Sequence, residues 1–151
     1  MPSPRHTVSQ HAPVNDLKLS VRHLDSLMQH VRSGIPHEVC GFLGGVGGVV
    51  MGVISVPNIA ADPAREFLMD PRVQWEAMES IAERGWEMVA IYHSHPPGSR
   101  TEPSSSDVAT AYYPEALTLL VVPDWSGQIS SLRAFAIDAG KVREVSIAVE
   151  S

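Results

Sequence analysis

Ile91-Tyr92-His93-Ser94-His95-Pro96-Pro97-Gly98-Ser99-Arg100-Thr101-Glu102-Pro103-Ser104-Ser105-Ser106-Asp107 reads as the end of a strand, a Pro/Gly-rich turn and the start of a helix. His93 and His95 stand two apart on that strand, so both imidazoles leave one face. Two ligands of one metal ion need that arrangement. Imidazole suits zinc, and a catalytic zinc takes a third protein ligand while keeping one position open. Asp107 is the natural third ligand, because the turn over 96–103 is long enough to fold back and set the next helix beside the strand end. Each residue also has a plainer reading. A lone His-x-His pair arises by chance, and Ser104 with Asp107 fits a capping box that satisfies the first helical amides. Their combination in one unit, where a strand gives way to a loop, favours a site.

Upstream, residues 87–92 form an apolar strand leading into the histidines. Before it, Asp70-Pro71 marks a helix start, with aspartate as N-cap and proline at the first helical position. Val73, Ala77, Met78, Ile81 and Ala82 give that helix a buried face, and Gly85 closes it. Nearer the N-terminus, residues 17–20 read as a short strand. Ser20 then caps a helix whose apolar stripe is Val21, Leu24, Leu27, Met28 and Val31, stopped by Gly34 and Pro36. Residues 39–45 and 49–56 are β-like runs joined through Val46-Gly47-Gly48, a tight hairpin. No Gly-Lys-Ser/Thr ending follows those glycines, which argues against a phosphate loop. Residues 66–69 are expected as a further strand.

Downstream, a short helix runs from Asp107 towards Tyr112 and stops before Pro114. Residues 117–122, 132–137 and 142–149 read as strands, the last two joined by a turn at 138–141. The sum is one α/β (α+β) domain, a mixed curved sheet flanked by about three helices.

Composition sets the outer bounds. The chain has 151 residues, 44% of them hydrophobic and 19% charged, as expected of one soluble domain with a single core. A net charge of −6 argues against a nucleic-acid partner, which would favour a basic patch. No apolar run is long enough to span a bilayer, and residues 1–16 lack the apolar core of a signal peptide, so a disordered N-terminal tail and a cytoplasmic location are expected. The single cysteine, Cys40, excludes an intrachain disulfide, and its apolar strand position favours a buried, inert thiol. His6, His11, His23 and His30 are expected to face solvent. His37 adjoins Glu38 and should point to the opposite face, away from any ligand set. Trp75, Trp86 and Trp125 are read as packing or interface residues.

His93-Ser94-His95-Pro96 followed by Pro103-Ser104-Ser105-Ser106-Asp107 resembles the JAMM (also called MPN+) signature of zinc isopeptidases. That signature also requires an upstream glutamate, and Pro36-His37-Glu38-Val39-Cys40-Gly41-Phe42-Leu43-Gly44-Gly45 is similar to its usual setting. Pro57-Asn58-Ile59-Ala60 and Phe67-Leu68-Met69-Asp70-Pro71 resemble compact bacterial members. The likeness covers residues 17–149, and it has one departure: the segment 97–103 is one residue longer than the family pattern between proline and serine. Loops absorb such an insertion cheaply.

The resemblance implies a JAMM/MPN (cytidine-deaminase-like) catalytic domain over 17–151. It implies Zn²⁺ held by His93, His95 and Asp107 with water as fourth ligand, Glu38 as proton shuttle, and Ser104 as donor to the developing oxyanion. It also implies hydrolysis of an amide bond after the C-terminal Gly-Gly of a ubiquitin-like or sulfur-carrier protein, releasing cysteine or a short adduct. Two other readings compete. A noncatalytic scaffold of the same fold would lack one or more of these five residues, and all five are filled. A RadC-like protein would carry Asn between the histidines, where this chain has Ser94. The oligomeric state, a homodimer included, is left open.

Overall fold

Residues 16–151 are described by the structure, a computed structural model. The tail expected at 1–16, with His6 and His11, therefore lies outside the described residues except for Asp16, which opens the first strand, β1 (Asp16–Ser20). Ser20 ends β1 in an extended conformation and accepts the His23 N–H, so α1 (Val21–Gly34) starts at once. Leu27, Met28 and Val31 are the buried part of its stripe, while Val21 is left exposed.

Two strands follow, β2 (Cys40–Val46) and β3 (Val49–Val56). Gly47 and Gly48 join them, both at positive φ, the conformation a two-residue hairpin turn demands. Asp70 then caps α2 (Pro71–Glu83), its carboxylate accepting the Arg72 and Val73 N–H groups. Gly85, at φ +72°, turns the chain into β4 (Glu87–Ser94). The short α3 (Ser105–Ala109) precedes β5 (Leu117–Pro123), β6 (Ile129–Asp138) and β7 (Lys141–Glu150).

The mixed curved sheet is present and goes further than expected: it closes into a barrel in the order β1-β3-β2-β4-β5-β6-β7. β4 pairs with β5, and β1 with both β3 and β7, in parallel; the other pairs are antiparallel. Closure rests mainly on β1 against β7, from Asp16↔Ser146 to Ser20↔Glu150.

Residues 66–69 do not form the expected strand; only the isolated bridge Asn58↔Met69 is present. The Asn58 side chain explains it. Its Nδ2 donates to the Glu66 carbonyl and its Oδ1 accepts the Leu68 N–H, so a side chain satisfies backbone groups that a ladder would otherwise use. The helix after Asp107 likewise stops at Ala109, short of Tyr112.

Side-chain alternation along β4 divides two cores. Ala90 and Tyr92 belong to the main core under α1, whereas Ile91 packs into the cluster under α2 with Cys40, Phe42, Ala77 and Ile81. His93 continues the Ile91 side, stacked on Phe67 of that same cluster.

Candidate metal centre

Backbone bonds place Glu38. Its N–H donates to the Pro63 carbonyl (2.8 Å) and its own carbonyl accepts from Asn58 Nδ2 (2.9 Å). The neighbouring Val39 is tied twice to Ser94: the Ser94 N–H donates to the Val39 carbonyl (3.0 Å), and the Val39 N–H donates to Ser94 Oγ (2.9 Å). The serine between the two histidines thus locks the glutamate's segment to their strand. Past the end of β4, the His95 N–H donates to the Val121 carbonyl at 3.0 Å, which keeps the second histidine in line with the first.

The turn follows from its residues. Ser99 N–H donates to the Pro96 carbonyl, with Pro97 and Gly98 at the corners and Gly98 at φ +79°, the pattern of a type II turn. Ser104 and Asp107 then form the capping box of α3. Asp107 N–H donates to Ser104 Oγ (3.0 Å), and Ser104 N–H donates to Asp107 Oδ2 (2.9 Å).

Four side chains converge. His93 Nδ1 lies 3.7 Å from Glu38 Oε1, and its Nε2 lies 3.7 Å from Asp107 Oδ2. His95 Nε2 is 3.0 Å from that same oxygen, and its Nδ1 donates to the Arg100 carbonyl at 2.8 Å. Ser104 joins the group through Asp107. All five residues expected from the sequence are therefore brought together.

Electrostatics separates the acidic and basic partners. Burial alone would raise the Asp107 carboxyl, but the His95 hydrogen bond, the His93 ring and the Ser104 amide outweigh it and hold the group at about 2. Burial would likewise lower His95, yet its bonds to Asp107 and the Arg100 carbonyl leave it raised.

A metal fits this donor set. Glu38 Oε1 and both ring nitrogens of His93 are buried without a hydrogen-bond partner, an arrangement that costs about 1–3 kcal/mol per group. Ligand atoms of Glu38, His93 and His95 fall within 4.8 Å of one another, and Asp107 Oδ2 lies 3.7 Å from His93 Nε2 and 3.0 Å from His95 Nε2. Both Nε2 atoms converge on a single Asp107 oxygen, whereas Glu38 approaches His93 from the other ring nitrogen. Two imidazoles and a carboxylate suit zinc.

Sequence reasoning missed Asn58, Phe67 and the structural part of Ser94. Asn58 had a signal, an amide side chain in a turn after proline, but its bond to Glu38 spans twenty positions. His30 is a correction: it is half-buried rather than solvent-facing, its Nδ1 2.7 Å from Tyr92 Oη. A residue of the helix stripe's edge meets the tyrosine only through tertiary packing. His37 is exposed, and Cys40 is buried with its thiol pushed up to about 12, chiefly by desolvation and then by Glu38, as an inert thiol should be.

The family model described as prokaryotic homologs of the JAB domain matches residues 20–138. The chain belongs to the JAMM/MPN family. It is an enzyme of that family, a hydrolase. A desampylase of Haloferax volcanii is 34% identical over 140 residues, covering 89% of this chain and 96% of the relative. A probable TtuB-protein conjugate cleaving protease of Thermus thermophilus is 33% identical, with 58% of each chain covered. Among solved structures, a Desulfitobacterium hafniense protein superposes with a TM-score of 0.74 at 29% identity, covering 89% of this chain and 93% of its own. A structure described as a JAMM metalloprotease-like zinc site in the proteasome and signalosome has a TM-score of 0.57 at 20% identity, covering 89% and 98%, and shares the JAMM/MPN fold. No helix among the described residues is long and apolar enough to cross a membrane.

Proposed function

We propose that this JAMM/MPN hydrolase is a zinc-dependent isopeptidase. It cuts the amide bond after the C-terminal Gly-Gly of a ubiquitin-like or sulfur-carrier protein in the cytoplasm. The observation that carries the reading is the buried His93–Glu38–Asp107 constellation, in which Glu38 Oε1 and both ring nitrogens of His93 have no hydrogen-bond partner. The relatives named for removing or cleaving small-protein conjugates support the substrate class.

His93, His95 and Asp107 would hold the metal. Zinc bound there lowers the pKa of water and polarises the scissile carbonyl. Glu38 Oε1, free of any hydrogen bond, accepts the proton of the attacking water and returns it to the leaving amine. The Ser104 hydroxyl already accepts the Asp107 N–H, so its own proton remains to be donated to the oxyanion. Stacking on Phe67 and burial keep bulk water off His93.

The test is incubation with candidate carrier proteins extended beyond Gly-Gly, read by intact mass with and without a chelator. Cleavage at the Gly-Gly boundary that the chelator abolishes is expected. Purified, folded protein that takes up no zinc would overturn the reading.

A further inference from the structure

The longer turn between His95 and Ser104 needs an anchor, because Gly98, Ser99, Arg100 and Glu102 are all exposed. One side chain from two strands away supplies it. Arg133 of β6 reaches the turn with Nη1, which donates to the Thr101 carbonyl (3.2 Å) and to Thr101 Oγ1 (3.0 Å). The rest of its guanidinium is committed elsewhere. Nε and Nη2 donate to the two oxygens of Glu144 on β7 (3.1 and 2.8 Å), and the carbon of the group sits 5.1 Å from the Phe135 ring centroid. A planar fork fixed on two sides can present its remaining nitrogen in only one direction.

We propose that Arg133 is a positioning residue for His95. The residue it holds, Thr101, directly follows the one whose carbonyl receives the His95 Nδ1–H. The Arg100 carbonyl lies in the peptide that enters Thr101, and the Thr101 carbonyl lies in the peptide that leaves it. Fixing the second restricts rotation of the first. A carbonyl can only accept, so this contact keeps the proton on Nδ1 and leaves Nε2 to face Asp107 and a metal. Metal-ligating histidines are commonly oriented in this way by an outer carbonyl; here the residue that follows the carbonyl is held from β6. An exposed Arg–Glu pair by itself contributes little. The two bonds to the turn give Arg133 a reason to be there. The metal half of this inference rests on the zinc reading above, whereas the orientation of His95 does not.

The experiment uses the full chain, metal-free and zinc-loaded, as wild type, Arg133→Met and Arg133→Lys. In the metal-free protein, the His95 Nδ1–H should exchange slowly with water by NMR and at least about tenfold faster in Arg133→Met. The His30 ring signals and amide protection through β4 should be unchanged. Zinc affinity should fall by about tenfold, within the range typical of outer-shell changes. Arg133→Lys should recover part of both effects, since an ammonium can reach Thr101 but cannot also hold Glu144 bidentately. Unchanged His95 exchange in Arg133→Met overturns the proposal, and so does a parallel loosening of His30 and β4, the mark of a merely structural role. If wild type binds no zinc but its His95 proton still responds to Arg133, the zinc reading fails and the positioning role stands. Should Arg133→Met not fold, Glu144→Gln gives the same readouts, with faster His95 exchange again expected and no change overturning the proposal.

Discussion

His93 has its ring sealed in the protein and neither ring nitrogen hydrogen-bonded, a rare state that a bound ion or a catalytic role would explain. Its neighbours differ in what their loss should do. Glu38→Gln keeps the shape of the side chain but cannot take a proton, so zinc content should stay near that of wild type while turnover falls by 10²-fold or more. His95→Ala and Asp107→Ala should lose both metal and activity; elemental analysis beside a cleavage assay separates the classes. pH gives a second handle. His95 is raised above its ordinary 6.5 in the metal-free protein, so its contribution to stability is full below 6.5 and is lost as pH rises through the folded value. Asp107 is depressed from 3.8 to about 2, so its contribution is present above 3.8 and is lost as pH falls towards 2. Metal-free protein should therefore gain most from this pair between those limits. On the proposed ligand set zinc would have to displace the His95 proton, so its affinity should climb with pH through and above 6.5. Titration with a competing chelator at several pH values checks the sign; a flat profile would contradict it.

At the scale of elements, the five-residue α3 is too short to form by itself and depends on its capping box. On the proposed mechanism Ser104 carries two loads that substitutions can separate. Ser104→Ala should cost about 1 kcal/mol through the lost cap and lower kcat by 10²-fold or more through the lost donor. Ser104→Asp restores a cap acceptor without a hydroxyl proton, so thermal stability should return while kcat does not. The β6–β7 hairpin offers a control far from this chemistry. Ala139 is held at φ +51°, beside Gly140 at +81°, in a turn that prefers Asn-Gly. Ala139→Asn should raise stability by about 1 kcal/mol with activity unchanged. This scale also shows what was legible beforehand. Caps and stops such as Ser20, Asp70-Pro71 and Gly85 act on adjacent amides, so the sequence places them well. Residues 66–69 looked like a strand because nothing local reveals that Asn58 takes over their backbone groups. His93, His95 and Asp107 were readable within one short stretch. Phe67 reaches His93, and Arg133 the turn after His95, only through tertiary packing.

For the whole molecule, the decisive fact is that one strand wall serves both cores. Barrel closure could not be read from periodicity, since the meeting of β1 and β7 depends on strands at opposite ends of the described chain. Once closed, β4 presents Tyr92 to the main core and His93 to the metal side, and β2 runs alongside with Gly41 opposite Tyr92 and Cys40 opposite His93. Gly41 has no room for a side chain. A Cβ there would lie 2.3 Å from the Ile54 carbonyl oxygen and 2.5 Å from two Tyr92 atoms. The tyrosine could shift, but the Ile54 oxygen belongs to the backbone of the neighbouring strand β3 and can yield only if the sheet does. Gly41→Ala should therefore destabilise by about 3 kcal/mol, lowering Tm by about 6–12 °C for a domain of this size. Trimming the tyrosine in the double variant Gly41→Ala/Tyr92→Leu should fail to restore Tm, because the contact with the Ile54 oxygen persists. The same strain pushes β2 away from β3 and so disturbs its other pairing, with β4, which sets Glu38 against His93, so cleavage should fall further than the loss of folded protein alone explains. Thermal unfolding and a cleavage assay below the transition test both halves. A Gly41→Ala protein as stable as wild type would show that the wall between the two cores is looser than this packing requires.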